Sequence, residues 1–495
     1  MHRISRTLGL AAGLFSLAAL ATGADGSWTR CAAPARLAPN PGGRTFYVSP
    51  TGTDPGSCSV GYTFRTINAA VLCAQGKDTI VVHGGTYPPV RIYNFYPSDW
   101  VLITNASGET PVIDGGGILG DYDSVFYIGG ASKLAVQGLE IKNTGIPKNT
   151  DGTLNRQQGA YGLKADNVTY LRLYYNTIHD VARHGITTDG HQIEVVGNHV
   201  YNAVMRNQNF LAVGSHCPTG MSCYWDGGVS SGTARNQWGY TVRGNLVHDI
   251  WGECIDVLAV DGATVEGNRV YSCVNVNIYV SESQNVTLNR NWVSDVSTSF
   301  IDPSTGEHPT AIQLSNESKT RGWSLSNIAI TNNILEWVGR AIRYANSPKR
   351  SPGDGGPIDT YNGVYIGFND MNRTFHGPMM FDTPDQQPTV QNKIAGNLVI
   401  NITSGGAGWI YAPDPNFWSY WVYPPPNNWN YGTSVTSTNP GINDYYGTYL
   451  TAYDWKAGAE ARWQIGPYQE PDMPSSDYHC SSHGQNNWNS PGAVN

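Results

Sequence analysis

One phrase returns along this chain at a nearly fixed interval. Residues 264–297 read TVEGNRVYSCVNVNIYVSESQNVTLNRNWVSDVS, in which TVEGNRVYS and TLNRNWVSD share a template. The template is an alternating apolar stretch, a polar turn, an asparagine and a short apolar run. It places Asn176, Asn198, Asn245, Asn268, Asn291, Asn333 and Asn397, with a weaker copy at Asn369. The first six are separated by 22, 47, 23, 23 and 42 residues. The two long intervals read as single repeats carrying insertions, near 205–228 and 298–309. A period of this size marks a solenoid before anything else.

Each repeat holds a second, earlier strand: YGLKA, HGITT, GGVSS, ECIDV, VNIYV, TAIQL and RAIRY. Strands this short, parted by Gly, Asn and Asp turns at 22–23 residues per coil, fit a parallel β-helix. A leucine-rich repeat would show LxxLxL and a recurring helix, and a propeller would need a period of about 40 residues. Residues at one phase then stack about 4.8 Å apart. Asparagine tolerates the left-handed conformation of a turn, and its amide can bond to the copies above and below. Leu163, Ile186, Val229, Ile255, Ile278, Ile312 and Ile342 form the inward aliphatic stack beside it.

The composition agrees. Charged residues make up 14% of the 495, whereas Gly (57), Tyr (29) and Trp (15) are plentiful, which suits strands and turns rather than helices. TFRTINAAVLCAQGKDT reads as a short amphipathic helix that caps the open end of the solenoid. Residues 1–21 have a basic start, an apolar run and small residues, the pattern of a secretory signal, and the apolar run is too short to span a membrane. Export makes disulfides available to the eight cysteines; nearness in sequence pairs Cys58 with Cys73 and Cys217 with Cys223 and leaves Cys31, Cys254, Cys273 and Cys480 unassigned. The formal charge of −8 argues against nucleic acid as a partner. A soluble monomer with no membrane partner is expected.

The phrases YVSPTGTD, FRTINAA, DTIVVHGGTY, VEGNRVY and NVTLNRN resemble secreted right-handed parallel β-helix proteins of the pectin-lyase-like superfamily, over roughly residues 45–405. The resemblance implies a right-handed coil and a polysaccharide or oligosaccharide partner. It does not choose among lyases, glycoside hydrolases and non-catalytic adhesins. Residues 406–470, crowded with Trp, Tyr and Pro, read as a segment folded back on the last coil, and 471–495 as a mobile tail.

Aligning the earlier strands puts Lys164, Thr187, Ser230, Asp256, Tyr279, Gln313 and Arg343 in one outward column. A second column, one turn earlier, holds Tyr161, His184, Glu253 and Arg340. The other face carries plain pairs such as Arg172, Glu194 and Glu266. Two chemistries fit the first face. Elimination beside a uronate carboxyl, the first choice by resemblance, needs a base from Lys164, His184, Tyr279 or Arg343 and a clamp from Arg340 or Arg343. Calcium, where a lyase uses it, would have to be held by Asp189, Asp226, Glu253 and Asp256. GECIDV is not followed by a lysine in the adjacent VNIYVSES, which departs from the calcium-dependent pectate lyases that carry one. Hydrolysis needs paired carboxylates instead, and Asp226 precedes the strand one coil below Glu253 and Asp256. Trp225 beside Asp226, and Trp409, Tyr411, Trp418, Tyr420, Trp421 and Trp429 near the end, offer flat rings on which sugars stack or a tail packs. A binding or surface-structural solenoid is the rival of both enzymes. Glu253, Asp256, Tyr279 and Glu282 are the outward departures from the repeat to examine first.

Overall fold

The computed structural model describes residues 35–210, 225–232, 236–295, 297–301, 307–316, 323–346, 360–367, 369–395, 397–400, 410–422 and 445–447. Residues 1–21, Cys31, Cys217, Cys223, Cys480, Trp409, Trp429 and residues 471–495 lie outside the described residues. The chain winds into a right-handed parallel β-helix. Every strand pairs in parallel with its equivalent one coil away, in one sheet of 23 strands and another of 12 among the described residues. No described helix is long and apolar enough to cross a membrane.

Each coil has three strands where the sequence suggests two. The template phrase is itself two strands, such as Val260–Glu266 and Arg269–Cys273, joined by a corner of two residues. So short a corner leaves no loop for the sequence to show. Its first residue is left-handed: Tyr175 (φ 53), Gly197 (φ 65), Gly244 (φ 61), Gly267 (φ 62), Arg290 (φ 55) and Asn332 (φ 55). The ladder asparagine follows it, so the expectation that the asparagine itself takes the left-handed turn is corrected. Gly is favoured at the first position because it has no Cβ to strain there.

The asparagines are buried and chained. Asn245 donates from Nδ2 to Asn268 Oδ1 at 2.9 Å, and its backbone N–H donates to the same oxygen at 2.9 Å. Asn268 repeats both bonds to Asn291, and its Nδ2 also donates to Val242 at 2.9 Å. The chain runs unbroken from Asn176 to Asn397 and includes Asn369. Each member thereby satisfies the backbone of a corner that no sheet could serve.

Beside the ladder, Leu163, Ile186, Val229, Ile255, Ile278, Ile312 and Ile342 stack in direct register, as expected from the sequence. All are buried, and each contributes about 1.5–3 kcal/mol relative to exposure. The third face adds Ile178, Val200, Val247, Val270, Val293 and Leu335. The single α-helix among the described residues, Ile67–Cys73, begins at Thr66, whose side chain accepts from Ala69 N–H, and turns Ile67, Ala70 and Val71 into the core. Cys58 bonds to Cys73, and Cys254 to Cys273 across one coil. The stacking continues past residue 405, where Ile410 and Tyr411 pair with Met379 and Met380, and Trp421 pairs with Asn392. Tyr420 and Trp421 are buried against Phe417 and Tyr361 and serve packing.

Candidate active site

The outward column is continuous from Lys164 through Thr187, Ser230, Asp256, Tyr279 and Gln313 to Arg343. From Lys164 to Gln313 it borders a cleft of about 500 Å³. Lys164, His184, Trp225, Asp226, Glu253 and Tyr279 line it, together with Tyr122, Tyr161, Arg183 and Asp189. Asp256 lies just behind this wall, 1% exposed.

Asp226 is the hub. Two glycines let neighbouring coils close around it. A Cβ at Gly252 would fall 2.0 Å from the Asp226 carbonyl oxygen, and one at Gly227 would fall 2.1 Å from Asp256 Oδ2. The Asp226 carboxylate, 3% exposed, receives His184 Nε2 at 3.0 Å and Arg183 at 3.3 and 3.4 Å. It also pairs with Arg206, which is completely buried. The Gly227 N–H donates to His184 Nδ1 at 2.8 Å. With Nδ1 accepting, the proton of the neutral ring sits on Nε2 and points at Asp226. The ring stacks on Tyr161 at 5.7 Å, and the Arg183 guanidinium lies 4.5 Å from Tyr161 and 4.6 Å from Tyr122.

Two neighbouring carboxyls are pushed in opposite directions. Burial raises Asp226, but His184 and the Arg206 and Arg183 guanidiniums outweigh it and hold the group well below the usual carboxylate range. Burial drives Asp256 up to about 6; the Asp226 charge adds to the rise, while His184, Glu253 and Ser230 oppose it. Glu253, 6% exposed, carries this pair into the cleft wall, and its N–H donates to the Asp226 carbonyl at 3.1 Å.

The cations of the cleft are paired. Lys164 Nζ lies 2.8 Å from Asp166, and Arg183 is held by Asp226. Arg343 stands six rungs from Lys164, about 29 Å at the ~4.8 Å spacing, so these two do not form one base-and-clamp site. Arg343 faces Asp382 at 3.6 Å, with Arg340 nearby. Tyr411, 54% exposed, lies two rungs beyond Arg343. Trp225, 46% exposed, stands at the cleft rim. Glu282 does not point outward: it is fully buried in a left-handed corner (φ 50). The side chain of Trp418 is not among those described.

The calcium set does not assemble. Among the described residues no three His, Cys, Asp or Glu side chains are grouped to hold a metal ion. Asp226 is already paired with two guanidiniums. Sequence reasoning missed Arg183, Arg206, Tyr122 and Asp166. Arg183 adjoins His184, and Asp166 follows Lys164 by two residues, the same-face spacing of a strand. Arg206 carries no such signal, because its partner lies 20 residues on.

No known protein family matches the chain, and no curated protein is similar to it in sequence. Its fold is similar to solved structures. One is the native GH136 lacto-N-biosidase from Eubacterium ramulus (TM-score 0.45, 15% identity, over 71% of this chain and 67% of that one). Another is the Dettilon tailspike protein (0.44, 15%, 76% and 70%). A third is the pectate lyase Pel9A (0.35, 12%, 75% and 80%). At these identities the likeness concerns the fold alone.

Proposed function

We propose that this is a secreted enzyme that cleaves a glycan by hydrolysis, using the carboxyls of Asp226, Glu253 and Asp256. The observation that carries this reading is the opposite displacement of Asp226 and Asp256 within one cluster, the pattern that separates a proton donor from an ionised partner. The Glu253–Asp256 pair retains a proton into mildly acidic pH and gives it to the leaving glycosidic oxygen through Glu253. Asp226 remains ionised on the adjacent coil. The coil spacing of about 4.8 Å is near the ~5–5.5 Å between the carboxyls of retaining glycosidases. Trp225 offers a face for a sugar ring.

Elimination, the first choice from the resemblance, is less well served. It needs a cation to neutralise the uronate carboxyl, and among the described residues Lys164 and Arg183, which line the cleft, already face acids. Incubation with neutral and uronate-containing polysaccharides separates the readings. New reducing ends without ultraviolet absorbance support hydrolysis. Absorbing unsaturated ends from uronate chains would replace it with elimination. Binding without any cleavage would make the protein a glycan-binding solenoid.

A further inference from the structure

One rung past Gln313, which still lines the cleft, the outward column reaches Arg343, two rungs beyond Tyr279. Arg340 lies two residues before the same strand, in the phase of Glu253. The two guanidiniums lie close: burial first, and then the Arg343 charge, make the charged form of Arg340 less favourable. His308 and His376 close this corner from the neighbouring coils. A Cβ at Gly339, between them, would fall 2.1 Å from the His308 carbonyl oxygen and 3.3 Å from the His376 ring. The His308 ring stacks on Phe375 at 3.7 Å, and Trp337 stands 6.3 Å behind that ring, so the corner has an apolar back wall. Among the described residues the acids that face it are Asp382, 3.6 Å from Arg343, and Glu307.

Among the described residues, four nitrogens here are buried without a hydrogen-bond partner: Nε of Arg340, Nε of Arg343, Nδ1 of His308 and Nε2 of His376. Unpartnered buried polar atoms are uncommon, and more costly when they belong to charged groups. Their gathering in one corner, on the line of the cleft, marks a place that an outside acceptor completes. Burial pushes both histidines down, so the arginines carry the positive charge at neutral pH.

We propose that Arg340 and Arg343 form a subsite for an acidic substituent, a carboxylate or sulfate, on the glycan chain that crosses the cleft. The subsite lies three rungs from Glu253, about 14 Å along the axis. A guanidinium fork matches the paired oxygens of either group. The substrate class is then a chain with a neutral sugar at the cleaved bond and an acidic one further along. The path of the chain rests on the hydrolase reading above; the binding of the acidic group does not.

The test uses glucose, glucuronate and glucose 6-sulfate as matched probes, with binding measured by calorimetry at low salt. The intact protein should bind at least one of the acidic sugars about 10-fold or more tightly than glucose. Arg340→Gln and Arg343→Gln should each remove most of that difference, Arg343→Lys should keep part of it, and added salt should weaken it. The preferred probe tells carboxylate from sulfate. Equal binding of all three sugars by the intact protein, or a preference that survives in both glutamine variants with melting temperatures unchanged, overturns the subsite. Failure to hydrolyse any glycan would sink the hydrolase reading and leave this binding difference to be judged on its own.

Discussion

His184 presents its Nε2 to Asp226 Oδ1 at 3.0 Å while its Nδ1 receives the Gly227 N–H at 2.8 Å. Both ring nitrogens are therefore engaged. The ring acts as a fixed donor that keeps Asp226 ionised, and the Asp226 charge in turn helps to keep a proton on the Glu253–Asp256 pair.

Removing the proton donor should stop turnover and leave the fold intact. Glu253→Gln and Asp256→Asn are each expected to lower kcat by about 10²–10⁴-fold, the usual range for a general acid. Reducing-end assays on whichever polysaccharide is cleaved check this, with circular dichroism as the control. Activity within a few-fold of the intact protein in both variants would move the chemistry elsewhere.

The pH profile has a definite sign. Asp256 is driven up to about 6 from 3.8, so the folded protein holds a proton there that the unfolded chain has lost. Stability from this group is complete below pH ~4 and is lost as pH rises toward ~6. Asp226 acts oppositely, since its depressed value stabilises above pH ~4 and that stability is lost as pH falls. Asp256→Asn should flatten the fall in melting temperature between pH ~4 and ~6. If hydrolysis depends on this proton, activity should also decline above pH ~6.

Arg206 is buried opposite Asp226, and its loss would leave that buried carboxylate with Arg183 and His184. Arg206→Met should destabilise the protein by about 1.5–3 kcal/mol, the range for a hydrogen bond to a charged group. Adding Asp226→Asn to that variant should recover part of the loss. Thermal melts of the single and double variants form a cycle, and strictly additive effects would mean the pair is not coupled.

In the ladder, Asn268→Ala deprives the Asn245 backbone N–H and side-chain amide of their shared acceptor and leaves Asn291 Oδ1 with the backbone N–H of residue 268 as its one donor from that rung. A loss of about 2–4 kcal/mol is expected, from unsatisfied buried groups of ~1–3 kcal/mol each. Denaturant unfolding measures it. A change under about 0.5 kcal/mol would reduce the ladder to a decoration of the corner.

What could be read from the sequence was what the repeat itself dictates. Ile255, Ile278 and Ile312 recur at one phase because burial demands an aliphatic side chain there, so their stack and the outward column beside it follow from alignment alone. The third strand was hidden because the corner at Gly267 and Asn268 is too short to look like a turn. The site was only half legible. Asp226, Glu253 and Asp256 stand out as acids on a regular scaffold. Arg206 and the Cys254–Cys273 bond depend on how one coil lies against the next, and no local pattern reports that. Glu282 misled because, as an acid, it groups with the outward residues, although it shares the phase of the inward Ile278 and Val280 and its left-handed backbone turns it into a corner.

The asparagine ladder fixes one corner of each coil and leaves the rest of the circumference free. Successive members are 22, 47, 23, 23, 42, 36 and 28 residues apart, yet each makes the same pair of bonds to the next. The ladder therefore works as an error-correcting index: whatever length a coil acquires, the count restarts at its asparagine and the following coil is in phase. Doubling a loop costs only about 0.6 kcal/mol in closure entropy. The longest of these intervals, between Asn198 and Asn245, is the one that contains Asp226. A lineage built on this plan can trial new sequence at the cleft, one coil at a time, without renegotiating the scaffold that carries it.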